Sequence, residues 1–151
     1  DTHGLLESQF EGKRNADDAH GFVIPSGYFD LAVYQDELWV VNPGMHALEN
    51  YTDDGTLRGF WEKATLKIEG FGGCCNPAQM TVDSEGNFIT SEKGLVRIKI
   101  YKASGELIGV VAPPDKFEKN AYYAPEVAVN EQGVIFALDF ETNMIRIFEK
   151  K

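Results

Sequence analysis

The chain repeats itself at a spacing near fifty residues, and that period narrows the possible folds more than any other feature of its sequence. Three segments align: "FDLAVYQDELWVVNPGMHALENYTDDGTLRGF" (29–60), "AQMTVDSEGNFITSEKGLVRIKIYKASGELIGVV" (78–111) and "PEVAVNEQGVIFALDFETNMIRIFEKK" (125–151). Val33, Val82 and Val129 recur at intervals of 49 and 47, and Tyr51, Tyr101 and Phe148 at 50 and 47. Each unit has the same internal order. A short β-rich run is followed by a turn (Gln35-Asp36, Ser84-Glu85-Gly86, Glu131-Gln132-Gly133), a second strand and a polar residue (Asn42, Glu92, Asp139). A third strand with period-2 alternation comes next, clearest in Val96-Arg97-Ile98-Lys99-Ile100-Tyr101. In the first two units a turn at Asp53-Asp54-Gly55 or Ala103-Ser104-Gly105 leads to a fourth strand. Four short strands in fewer than about 50 residues is the pattern of a β-propeller blade. The sequence predicts an all-β chain of three four-stranded blades at about 21–60, 71–111 and 121–151, with one helical turn near 114–121 and almost no α-helix.

The two ends bear on assembly. In "DTHGLLESQF", Gly4 aligns with Gly55 and Gly105, and Leu6 with Leu57 and Leu107, so residues 1–10 read as an outer strand without its first three. The third unit has three strands and no fourth. Propellers commonly have four to eight blades, so three imply either a homodimer closing a six-bladed ring or a longer propeller containing these blades. Residues 4–10 are expected beside 146–148, of the same chain or of a partner. Since the chain opens on Asp1 rather than Met, it reads as a processed or excised chain, and an extracytoplasmic setting, periplasmic or secreted, is favoured.

The chain has 151 residues, 43% hydrophobic and 25% charged, the balance of a globular domain with a core. No apolar run reaches the 18 or so residues that a membrane-spanning helix needs. A net charge of −10 argues against a nucleic-acid partner, because phosphate backbones call for a basic surface.

The third unit, "GVIFALDFETNMIRIF", resembles the NHL family of propellers in Gly133, Asp139, Asn143, Arg146 and Ile147. The second unit keeps Gly86 and Arg97 but has Glu92 in place of Asp; the first has Asn42 and no Arg. The resemblance spans about 21–151. It implies an NHL-like propeller and leaves function open, because such propellers include binding platforms and enzymes.

The only two cysteines are adjacent, in "FGGCCNP" (71–77), ahead of the first strand of the middle blade. Three readings of Cys74 and Cys75 stay open: a packed buried thiol pair, a strained vicinal disulfide, or metal ligation, for which one chain supplies two of the four ligands of a structural zinc site. A zinc, copper or calcium ion would be the corresponding cofactor. "Gly-Cys-Cys-Asn-Pro … Thr-Ser-Glu-Lys-Gly" also resembles a variant found in bacterial NHL-like proteins. The segment entering an innermost strand is expected near the ring axis. Tyr122 and Tyr123 occupy the matching segment of the third blade and are expected to line a pocket there, beside Gln79 and Glu126, which with Asp30 mark the starts of innermost strands. His3, His20 and His46 are expected in solvent, Asn42, Glu92 and Asp139 as turn caps, and Arg97 and Arg146 in blade-edge ion pairs. Asn50-Tyr51-Thr52 has the form of a glycosylation sequon but falls inside a strand.

These residues support a non-catalytic binding or assembly module with a protein or small-molecule ligand on its axial face. The alternatives are a metal-dependent lyase or lactonase of propeller type, and a thiolate metal or redox site at the cysteines.

Overall fold

The computed structural model describes residues 4–15, 17–18 and 21–149. It contains three antiparallel sheets. Sheet I is β1 (Leu31–Tyr34), β2 (Glu37–Asn42), β3 (Ala47–Tyr51) and β4 (Leu57–Glu62), paired in that order. Sheet II is β5 (Gln79–Val82), β6 (Phe88–Glu92), β7 (Arg97–Tyr101) and β8 (Leu107–Ala112). Sheet III is β9 (Glu126–Val129), β10 (Ile135–Asp139) and β11 (Met144–Phe148), with β11 at its edge. The innermost strands β1, β5 and β9 lie side by side in that order. Among the described residues the only helical pieces are two single 3-10 turns, Pro43–Met45 and Pro114–Lys116, the second within the expected helical turn.

The hairpins follow from local chemistry. Asp83 Oδ1 accepts from the N–H groups of Glu85 and Asn87, and Asn130 Oδ1 from those of Gln132 and Val134, so one side chain templates each four-residue turn. Sheet I instead turns in two residues, Gln35 and Asp36, both left-handed, which is the twist a tight hairpin requires. The outer hairpins place Gly55 and Gly105 at φ +85 and +81. A Cβ on Gly105 would stand 2.8 Å from the Trp61 ring, and one on Gly55 2.6 Å from Phe10, so each glycine serves both backbone and packing.

Two apolar cores fill the gaps between sheets. Val41, Leu48 and Trp61 of sheet I meet Met80, Phe88 and Tyr101 of sheet II, with Phe71 from the connecting segment. Ile89, Ile98 and Ala112 of sheet II meet Val127, Ile135 and Ala137 of sheet III. Trp39 packs tilted on Phe88 at 4.4 Å and Trp61 on Tyr101 at 5.2 Å, so both tryptophans join sheets. Burying side chains of this size contributes about 1.5–3 kcal/mol each. Asn50 is buried within β3 and offers no accessible sequon.

Asn42, Glu92 and Asp139 occupy equivalent positions but do three different things. Asp139 caps the following turn, accepting from Glu141 and Thr142 N–H, and binds Arg146 Nε at 2.7 Å. Its carboxyl lies below the usual range: burial opposes this, but Arg146 and Thr142 prevail. Asn42 accepts from Val23 N–H. Glu92 caps no turn. It is buried between Arg97, which grips both its oxygens at 2.7 and 2.8 Å, and Lys99 at 2.9 Å. The strand register also corrects the expected Arg pairing. Ala137 lies opposite Arg146 and Thr90 opposite Lys99, so Lys99, not Arg97, matches Arg146. In sheet I that position is Glu49, paired with Arg14 at 3.0 Å. Arg97 is correspondingly buried, not at a blade edge.

Residues 4–10 form no strand in this chain and do not pair with β11. Phe10 packs instead on Tyr51 and Phe22, against the outer side of sheet I.

Candidate functional site

In an up-and-down sheet, the connection entering the first strand and the one joining the second to the third emerge at the same end. The cysteine segment, the 43–46 turn, the 93–96 turn and the 121–125 segment therefore share one end of the structure. There, Gly73 and Cys75 are both left-handed, with φ +75 and +71. For a residue with a Cβ this is a sparsely used conformation that its surroundings must hold in place.

Asn76 supplies much of that hold. Its Nδ2 donates to the carbonyls of Gly72 (2.7 Å) and Lys93 (3.1 Å), and its Oδ1 accepts from Lys93 N–H at 2.9 Å. His46 Nδ1 lies 2.9 Å from the Asn76 carbonyl, which can only accept, so the proton sits on Nδ1. His46 is thus half-buried and engaged, not free in solvent; His3 and His20 lie outside the described residues.

The cysteines differ. Cys75 is buried and Cys74 exposed, and both are free thiols. Beside them stands Lys93, which is only 9% exposed. Its ammonium lies 5.7 Å from the Tyr122 ring and 5.9 Å from the Tyr28 ring. Among the described residues no carboxylate forms an ion pair with it. Burial opposes the charge of Lys93, but Cys75, Tyr122 and Cys74 outweigh it and the pKa stands above the ordinary lysine value.

Tyr28 and Tyr122 tie this end together. Tyr28 OH accepts from Ala124 N–H at 3.2 Å, and the Tyr122 carbonyl accepts from Gly94 N–H at 2.8 Å. Burial raises the Tyr28 pKa, and the Ala124 bond and Lys93 only partly offset it. Tyr122 and Tyr123 are both well exposed; their N–H groups donate to Glu141 Oε1, and Tyr123 packs edge-on against Phe140.

The structure therefore brings Cys74, Cys75 and Tyr122 together, with Lys93 as the link. It does not converge Asp30, Gln79 and Glu126. Asp30 Oδ2 accepts from Met80 N–H at 2.7 Å and straps β1 to β5. Gln79 is half-buried opposite Ser91. Glu126 is exposed opposite Leu138. Among the described residues no three His, Cys, Asp or Glu side chains are grouped to hold a metal ion. Sequence reasoning missed Lys93 and Tyr28. A lysine in "SEKG" and a tyrosine in "SGYF" look like loop residues until their loops are packed together.

No family model and no curated protein matches the chain. Solved structures do. Virginiamycin B lyase from Staphylococcus aureus aligns with a TM-score of 0.51 at 15% identity, over 82% of this chain and 41% of that one, and so does a catalytically inactive form of it with quinupristin. A protein of unknown function from Bacteroides caccae aligns with a TM-score of 0.54 at 13% identity, over 85% of this chain and 50% of that one. The fold is of propeller type. At these identities the likeness concerns fold alone, and the chain spans half or less of the length of these neighbours.

Proposed function

We propose that this chain is a non-catalytic binding module of NHL-like propeller type, and that it takes an anionic group of a protein or small-molecule ligand at the end formed by Lys93, Tyr28, Tyr122 and the cysteine segment. Lys93 carries this reading: the residue is only 9% exposed, it has no ion-pairing carboxylate among the described residues, and its ammonium is flanked by two aromatic faces. Burying a charge is costly unless it is paired, and an incoming carboxylate supplies the missing partner while its apolar body rests on the exposed Tyr122 and Tyr123 rings. The test is a titration with benzoate, with benzyl alcohol as the uncharged control, read from the amide resonances of Lys93 and Gly94. Benzoate shifts them saturably, benzyl alcohol does not, and Lys93→Met abolishes the response. Equal responses to both compounds, or an unaltered response in Lys93→Met, would reject this function.

A second reading rests on the adjacency of Cys74 and Cys75: two thiols on one loop suit a soft ion such as copper or zinc. Elemental analysis of the purified chain and of Cys75→Ser separates the two. Stoichiometric metal that disappears in the variant favours the metal site.

A further inference from the structure

The N-terminal segment repeats the aromatic packing by which one sheet meets the next. Where sheet I meets sheet II, Trp61 at the end of β4 lies 5.2 Å from Tyr101 and 5.8 Å from Phe71, and Phe71 lies 5.4 Å from Tyr101. Phe10 stands in the same relation to Tyr51 (5.1 Å) and Phe22 (5.9 Å), with Phe22 5.7 Å from Tyr51. The backbone runs alike, with the accepting carbonyl two residues after Trp61 and one residue after Phe10. Phe71 N–H donates to Lys63 O at 2.8 Å, and Phe22 N–H to Glu11 O at 2.9 Å. Gly4 has a left-handed φ of +64, as Gly55 and Gly105 do at +85 and +81. Residues 4–10 therefore occupy the place of the fourth strand of a sheet preceding sheet I, and the other three strands of that sheet are not among the described residues.

Sheet III has the opposite deficit. Its strands β9, β10 and β11 are present, and among the described residues β11 has no outer neighbour. Matching registers put Leu138, Ile145 and Ile147 where sheet I has Val41, Leu48 and Asn50. Val41, Leu48 and Asn50 are 0%, 0% and 5% exposed, because sheet II covers them; Leu138, Ile145 and Ile147 are 51%, 65% and 60% exposed. On the receiving side, Leu31 of sheet I matches Met80 of sheet II. Met80 is 3% exposed and Leu31 58%. The arm covers Tyr51 and Glu49 on that side but leaves the β1 positions Leu31 and Val33 open.

We propose that the occupant of both faces is a second copy of this chain. Sheet III of each copy packs on sheet I of the other, and residues 4–10 of each copy add to β11 of the other as its fourth strand. The internal template fixes the register. Leu48 pairs with Trp61, Glu49 with Phe60, Asn50 with Gly59 and Tyr51 with Leu57. By equivalence Ile145 faces Phe10 of the second copy, Arg146 faces Gln9, Ile147 faces Ser8, and Phe148 faces Leu6. Two such junctions close a ring of six sheets. They cover the exposed apolar faces and end the open edge of β11, the kind of edge that invites aggregation. Obligate interfaces of this kind bury about 2,000 Å² or more. This inference is independent of any ligand at Lys93.

The test uses the 151-residue chain in a Cys74→Ser background. Light scattering is expected to give twice the chain mass of 16.8 kDa. Separately purified Ser8→Cys and Ile147→Cys chains, mixed and oxidised, are expected to form a disulfide-linked heterodimer that neither forms alone. Ile145→Glu is expected to weaken the dimer at least tenfold with the β-type spectrum kept; if that variant fails to fold, the cross-link decides. A single-chain mass at about 100 µM, as would be found if blades of a longer polypeptide fill these faces, overturns the proposal. So does a dimer whose residues 8 and 147 do not cross-link.

Discussion

Replacing Glu92 by Gln removes one charge and almost no volume, and so isolates what that carboxylate does. It is the only anion in ion-pair reach of two buried cations, Arg97 at 2.7 Å and Lys99 at 2.9 Å, among the described residues. Lys99 is already strained. Burial drives its pKa from 10.5 down to about 8 despite Glu92, so it has lost about 3 kcal/mol of preference for its charged form. Without Glu92 it has an escape, because it can deprotonate near pH 7 for only about another 1–2 kcal/mol. Arg97 has none, since a guanidinium stays charged; burial opposes its charge, and Glu92 holds its pKa up. The expected cost of Glu92→Gln is therefore about 3–5 kcal/mol, the range for removing one partner of a buried pair. At about 2–4 °C per kcal/mol for a chain of this size, the Tm falls by about 6–20 °C. Lys99→Met is the control. It keeps the hydrocarbon stem, leaves Glu92 with both Arg97 bonds, and leaves the Gly70 carbonyl with the Arg97 bond at 3.0 Å. Its expected cost is below about 1.5 kcal/mol. Calorimetry or chemical denaturation on the two variants measures the difference. If Lys99→Met costs as much as Glu92→Gln, or if Glu92→Gln costs less than about 1 kcal/mol, the cluster is not organised around the carboxylate as argued.

Stability should rise from about pH 8 towards pH 10, because the folded chain releases the Lys99 proton from about pH 8 upward while the unfolded chain holds it to about 10.5. Above pH 10 it should fall, because burial raises the pKa of Tyr51 and Tyr101 well beyond the ordinary phenol value and only the unfolded chain ionises there. Urea titrations at several pH values would show the maximum, and Lys99→Met should lack the rise. Gly105→Ala forces a methyl against the Trp61 ring at a left-handed φ, and should cost about 1–3 kcal/mol in the same assay. Asp30→Ala leaves Met80 N–H without its acceptor and should cost about 1–3 kcal/mol, with faster amide exchange at Met80 than at Thr81.

The strands, the turns and the three-fold repetition were legible in the sequence because they depend on neighbours a few residues apart. Alternation marks β7, and Asp83 and Asn130 template their turns through their own side chains. The same local grammar identified Gly4 with Gly55. It placed residues 4–10 beside 146–148 and did not foresee their packing on sheet I, since that depends on Phe10 finding Tyr51 and Phe22, 41 and 12 residues away. Charges were hardest to read. Lys99 sits in an alternating strand as an outward lysine would, yet it is fully buried, because the segment from Ile68 to Gly70 folds over it and presents two carbonyls to its ammonium. Lys93 and Cys75 are 18 residues apart and become neighbours only when Asn76 pins one loop to the other. Periodicity records which face of a strand is apolar. Which charges lose their water is decided by what the connecting segments cover, and that is settled only when the sheets have packed.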